Sequence, residues 1–206
     1  MRSSIRFIAI VAFTFLLLSF CSTTQTTNTW VDQSYRGSPV SDVLVIAVSK
    51  DGNLRRSFEN KFVQKLKATG VRAVPSAAEM PLDQKMEKEA VLAIVKKLGV
   101  DSVLVTHLVS VKEKDVSTPA AEYRPADDYH RGQAEFYQDV YDYSRQPQYY
   151  PTRVKVRLES KLYDVKTEKP IWSAQSKTLD PQSTMELFDA AIEAFVRNLK
   201  ENKLLP

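Results

Sequence analysis

Val43-Leu44-Val45-Ile46-Ala47-Val48 is an unbroken apolar run, closed shortly afterwards by the turn pair Asp51-Gly52. Six residues are too few for an ordinary helix, and a strand that is apolar at every position is one covered on both faces. The run therefore predicts the central strand of a sheet with helices above and below it. The next residues supply those helices. Asn53 or Asp51 caps a helix in which Leu54, Phe58, Phe62 and Leu66 recur every fourth position, and Gly70 ends it. Val71-Arg72-Ala73-Val74 follows as a short strand stopped by Pro75, which has no N–H to give a ladder. A second helix is expected from about Asp83 to Leu98, with Met86, Ala90, Val91, Ile94 and Leu98 inward and Gly99 as its stop.

From Ser102 to Val111 a third strand places Val103, Val105, His107, Val109 and Val111 on one face, with Leu104, Thr106, Leu108 and Ser110 on the other. Beyond a long interruption, Val154, Val156, Leu158, Ser160 and Leu162 alternate with Lys155, Arg157, Glu159, Lys161 and Tyr163, the pattern of a strand with one wet face. Asp164 to Lys169 reads as a turn, and Pro170 to Gln175 returns as the antiparallel partner. The capping box Ser183-Thr184-Met185-Glu186 opens a last helix that buries Phe188, Ala191, Ile192, Phe195 and Leu199. The expected fold is α/β (α+β): a single mixed five-stranded sheet with three helices in the order β-α-β-α-β-(long loop)-β-β-α. Its first three strands are parallel and its last two form a hairpin.

The chain has 206 residues, enough for one domain with a proper core. Residues 1–20 carry Arg2 and Arg6, no acids, and an apolar run from Phe7 to Phe20 that is shorter than the ~20 residues of a spanning helix. That is a signal peptide. Cys21, the sole cysteine, follows at once; alone it forms no internal disulfide, and its place marks it for lipidation rather than redox or metal chemistry. Residues 21–40 begin rich in Ser, Thr, Asn and Gln and read as a flexible membrane tether, with an end-to-end distance of roughly 20–25 Å for a random coil. Trp30 is expected to fold back on the domain edge. Residues 41–206 form the single domain.

Seven of the nine tyrosines, Tyr123, Tyr129, Tyr137, Tyr141, Tyr143, Tyr149 and Tyr150, fall in the interruption at about 112–152, which Pro119, Pro125, Pro147 and Pro151 keep largely irregular. Large amphipathic rings in a loop are candidates for a partner surface, and Tyr123, Tyr129, Tyr137, Tyr141, Tyr149 and Tyr150 are taken as that surface. The bland reading is a loop that packs over the sheet.

Several chemistries are disfavoured. Without Arg2 and Arg6 the chain has 27 basic against 25 acidic side chains, too balanced for a nucleic-acid partner. Its five glycines are scattered, so no phosphate-cradling loop exists. One cysteine and two distant histidines do not assemble a zinc site, and Glu122, Asp127, Asp128 and His130 lack the ligand spacing of a known loop. No metal and no cofactor is expected. His107 is read as a core histidine, and the competing reading is the base of a periplasmic hydrolase-like enzyme.

Leu18-Ser19-Phe20-Cys21 resembles the lipobox of bacterial lipoprotein precursors, with Phe20 in place of the usual small residue. That resemblance implies a diacylglycerol on Cys21; signal cleavage to a free periplasmic protein and an uncleaved anchor are the alternatives. Thr29-Trp30-Val31-Asp32, Leu98-Gly99-Val100-Asp101-Ser102-Val103-Leu104-Val105, and Leu162-Tyr163-Asp164 with Thr167 and Ile171-Trp172-Ser173 resemble uncharacterised envelope lipoproteins. In the last, Glu168 stands in the glycine place of a turn that needs positive φ. The element order is similar to the N-terminal domain of TolB and to curli-secretion lipoproteins. The resemblance implies a place in the cell envelope, and the function expected is a non-enzymatic binding or assembly module, lipid-anchored through Cys21 at the outer membrane and facing the periplasm. Its expected partner is an envelope protein or lipid-handling complex.

Overall fold

Every residue from Val43 to Val48 is buried in the computed structural model of the chain, which describes residues 24–81, 87–113 and 154–206. The elements in order are β1 (Thr24–Val31), β2 (Asp42–Ala47), α1 (Gly52–Lys67), β3 (Arg72–Pro75), a 3-10 turn (Ser76–Ala78), α2 (Lys88–Leu98), β4 (Ser102–Glu113), β5 (Val154–Asp164), β6 (Pro170–Leu179) and α3 (Thr184–Glu201). The strands form one mixed sheet in the order β1-β6-β5-β4-β2-β3. β2 is parallel to β3 and β4, while β4, β5, β6 and β1 are successively antiparallel.

Among the described residues the sheet thus has six strands where the sequence predicts five, and the sixth comes from the stretch read as a tether. Thr24 to Thr27 bury little, which makes them look like linker, yet threonine is β-branched and an edge strand needs only one neighbour. Their backbone pairs with Gln175 to Thr178 of β6, and the Thr24 hydroxyl meets that of Thr178 at 2.9 Å. At Asn28 the ladder slips: φ is 50°, a left-handed conformation that asparagine tolerates, and the extra residue forms a bulge before Trp30 pairs with Ser173. Val31 then packs on the core.

On one face of the sheet α1 and α3 cover a continuous apolar core. Phe58, Phe62, Phe188, Phe195 and Trp172 meet within it, Phe62 stacking on Phe195 at 6.3 Å between centroids and Trp172 standing edge-on to Phe195 at 6.0 Å. Asp51 caps α1 by accepting from the N–H groups of Asn53 and Leu54. Ser183 caps α3 through the N–H of Glu186, whose carboxylate accepts in turn from the N–H of Gln182. On the other face α2 covers a second cluster of Leu44, Ile46, Val91, Ile94, Val95, Val103, Val105 and Tyr163. Gly99 ends α2 in the left-handed conformation at φ 62°. That helix begins at Lys88; Asp83 and Met86, which the sequence assigned to it, lie outside the described residues.

Two further readings need correction. A bulge between Leu108 and Ser110 shifts the phase of β4, so Val111 packs with the α1/α3 core rather than beside Val103 and Val105. The face of β5 read as wet is only partly so: Glu159 and Tyr163 are nearly inaccessible, while Lys155, Arg157 and Lys161 are half-buried.

Thr24, Thr178, Val156 and Val111 lie in one transverse row, and Leu179 sits one residue beyond it. The chain therefore enters the sheet, leaves it at Glu113 and re-enters at Val154 all at the same end. The opposite end is closed by the short Asp164–Lys169 turn. Among the described residues no helix is long and apolar enough to cross a membrane.

Candidate functional site

Among the described residues, two groups of buried polar side chains contain charged or titratable members. The first joins α1 to the ends of β2 and β3. Glu59 accepts from the N–H of Ala47 at 2.9 Å, the hydroxyl of Ser76 at 2.6 Å, the N–H of Ala77 at 2.6 Å and Nε of Arg55 at 3.1 Å. Arg55 also donates to Ser76 Oγ at 2.9 Å and, more weakly, to the carbonyl of Pro81 at 3.4 Å. Both side chains are almost wholly buried, and four bonds of 2.6 to 3.1 Å within the protein engage the Glu59 carboxylate. It pins the helix to the strand ends.

The second group runs across the sheet on the face that carries α2. Strand register places His107 opposite Glu159 and Glu159 opposite Gln175, with Asn28 Nδ2 donating to Gln175 Oε1 at 3.1 Å. The contacts to the Glu159 carboxylate are long: His107 Nε2 to Oε2 is 3.6 Å, Lys161 Nζ to the same oxygen 3.7 Å, and Gln175 Nε2 to Oε1 3.4 Å. His107, read from the sequence as a core histidine, is 2% exposed. Burial, helped by the nearby Lys161 ammonium, lowers its pKa to about 3. His107 is therefore neutral near pH 7, and its approach to Glu159 is not an ion pair. Burial raises the Glu159 pKa, and Lys161 and Gln175 offset part of that rise.

Ser110 Oγ, Glu159 Oε2 and Ser173 Oγ are buried on this face without a hydrogen-bond partner. Alternation placed His107 and Glu159 each on a face, but only the register between their strands brings them together, and register is not written in either strand alone. Gln175 and Asn28 escape sequence reasoning for the same reason.

A polar cleft of about 400 Å³ lies at the closed end of the sheet, lined by Asp32, Tyr35, Arg36, Glu201 and Lys203 among others. The Arg36 guanidinium is already bound to the carbonyls of Gln33 and Tyr35, and Ser34 holds the Asp32 carboxyl below the usual carboxylate range. Neither group is directed at a ligand. Among the described residues no group of His, Cys, Asp or Glu is arranged to hold a metal ion. Cys21 and the six partner-surface tyrosines, Tyr123, Tyr129, Tyr137, Tyr141, Tyr149 and Tyr150, lie outside the described residues, as do Glu122, Asp127, Asp128 and His130.

No family model matches the chain, and no curated protein does. Among solved structures it is similar to the PelC dodecamer from Paraburkholderia phytofirmans in two crystal forms. Identity is 11 and 13%, TM-scores are 0.45 and 0.42, and coverage is 85% of this chain with 96 and 95% of those. It is also similar to the lipoprotein GNA1162 from Neisseria meningitidis at 16% identity and TM-score 0.40, covering 78% of this chain and 99% of that one. At such values the likeness is one of chain course, and no residue role is taken from it.

Proposed function

We propose that the protein is a lipid-anchored, non-enzymatic module of the bacterial envelope that binds or positions another envelope component. The observation that carries this reading is the distance between anchor and fold. Cys21 ends the export segment, and Thr24, three positions on, is already hydrogen-bonded into the sheet. Three extended residues span at most about 10 Å, so a lipid on Cys21 holds the body against the bilayer rather than on a long tether.

What weighs against a hydrolase is the state of His107. A base with a pKa of about 3, buried away from solvent, is a poor proton acceptor near neutral pH. The contact surface in this reading is the tyrosine-rich stretch between Glu113 and Val154. Those two residues are paired partners in the β4–β5 ladder, so a short connection closes the gap without disturbing either strand.

Mass spectrometry of the mature N-terminus tests the anchor: a diacylglyceryl-modified Cys21 supports it, and an unmodified cysteine or cleavage well downstream overturns it. Replacing residues 118–150 with a short Gly/Ser connection tests the contact surface. The shortened protein is expected to fold and to lose the partners that crosslink to the intact one in cells. Retention of the same partners removes the loop from the proposal.

A further inference from the structure

We infer that the end of the sheet at which the chain enters is a membrane-contact surface, with Leu179 and Met185 seated in the interfacial region of the bilayer that holds the lipid on Cys21. This rests on the anchor reading above and adds an orientation to it. Among the described residues the large hydrophobic side chains left exposed are Leu179 at 47% and Met185 at 37%. They do not lie at random. Leu179 is the last residue of β6, next to Thr178, the partner of Thr24. Met185 is in the first turn of α3, at the same end of the domain.

The short anchor commits this end to the bilayer, beside which the chain also leaves the sheet at Glu113 and re-enters at Val154. With at most about 10 Å of chain between Cys21 and Thr24, the first row of the sheet stays close to the headgroups. Strands of an antiparallel sheet are ~4.8 Å apart, so Leu179, on the strand adjacent to β1, is held at a similar depth. An exposed leucine and methionine there gain by leaving water for the headgroup–acyl boundary, which is how apolar residues strengthen a single anchor. Asp180, exposed beside Leu179, faces the same boundary and favours the headgroup layer over deeper insertion. The closed end, at the Asp164–Lys169 turn, then points away from the membrane.

Lipidation consumes the chain's one cysteine, so an introduced cysteine becomes its only free thiol. The mature full-length chain carrying Leu179→Cys, Met185→Cys or, as the far-end control, Lys166→Cys is labelled with a fluorophore. Each is reconstituted into phosphatidylethanolamine/phosphatidylglycerol vesicles containing headgroup spin-labelled lipid. All three positions are exposed, so folding is preserved. The expected result is strong loss of fluorescence at 179 and 185 and little at 166. Equal quenching at all three positions, in protein that floats with the vesicles, overturns the orientation and leaves the anchor intact. Protein that fails to float and labels at Cys21 overturns the anchor, and with it this surface.

Discussion

Under α1 and α3 the sheet is sealed by Phe58, Phe62, Phe188, Phe195 and Trp172, and on its other face strands β4, β5 and β6 bury His107, Glu159 and Gln175 instead. Both regions exclude water. The aromatic face gains from burial, roughly 25 cal/mol for each Å² of apolar surface. Within the polar row the Glu159 carboxylate loses hydration and recovers less of it, because its contacts run from 3.4 to 3.7 Å. The Arg55–Glu59–Ser76 cluster shows the other outcome: with bonds of 2.6 to 3.1 Å around the carboxylate, a buried charge becomes part of the frame. Burial alone does not make a polar group structural; short, complete partnership does. The face that stability does not require to be polar is the one whose charge responds to its surroundings.

The largest effects should fall on the satisfied regions. Glu59→Ala strands the Arg55 guanidinium and three further donors, and urea melts should show a loss of about 3–5 kcal/mol. Phe195→Ala opens a cavity between Phe62 and Trp172 and should lose a similar ~3–5 kcal/mol. A loss much below that at Glu59 would place its cluster with the polar row and erase the contrast. In the row itself, Glu159→Gln should change stability at neutral pH by no more than about 1 kcal/mol, since the carboxylate gives up only long contacts. Its folded pKa is raised, so the wild type loses stability as pH climbs through that pKa, and the variant should gain relative to it on the alkaline side.

The smallest effect lies off both faces. Glu168 adopts φ 55° in its turn, a left-handed conformation that favours glycine, so Glu168→Gly should gain about 0.5–1 kcal/mol. The half-exposed Lys88–Glu168 pair lost with it contributes little.

The parts of the fold that could be read from the chain are those with a local cause. Val43 to Val48 announced a strand buried on both sides, the fourfold spacing of Leu54, Phe58, Phe62 and Leu66 gave a helix face, and Asp51, Gly99 and Ser183 marked helix ends where the structure has them. Even Glu168 was legible, as a departure at a place that needs positive φ. What escaped depends on a neighbour. Thr24 to Val31 is a strand only because β6 offers it an edge, and its polar composition carries no trace of that. The bulge at Val109 and the meeting of His107 with Glu159 likewise follow from pairing between strands. Sequence pattern shows that a side chain is inward; it does not show what it meets there.

The contrast between the faces is tested most directly by the pH dependence of stability in the wild type and in His107→Gln. The depressed pKa of His107 means that its contribution is fully present above the unfolded value of about 6.5 and is lost as pH falls toward about 3. Urea melts of the intact mature chain at several pH values between 7.5 and 4 should show the wild type losing up to about 1.4 kcal/mol per pH unit through this group. The variant should lack that component, leaving the opposite trend of the raised Glu159 carboxyl, which regains stability as pH falls through its folded pKa. Parallel curves for the two proteins would contradict the account, because they would mean that His107 is not held neutral by the polar face.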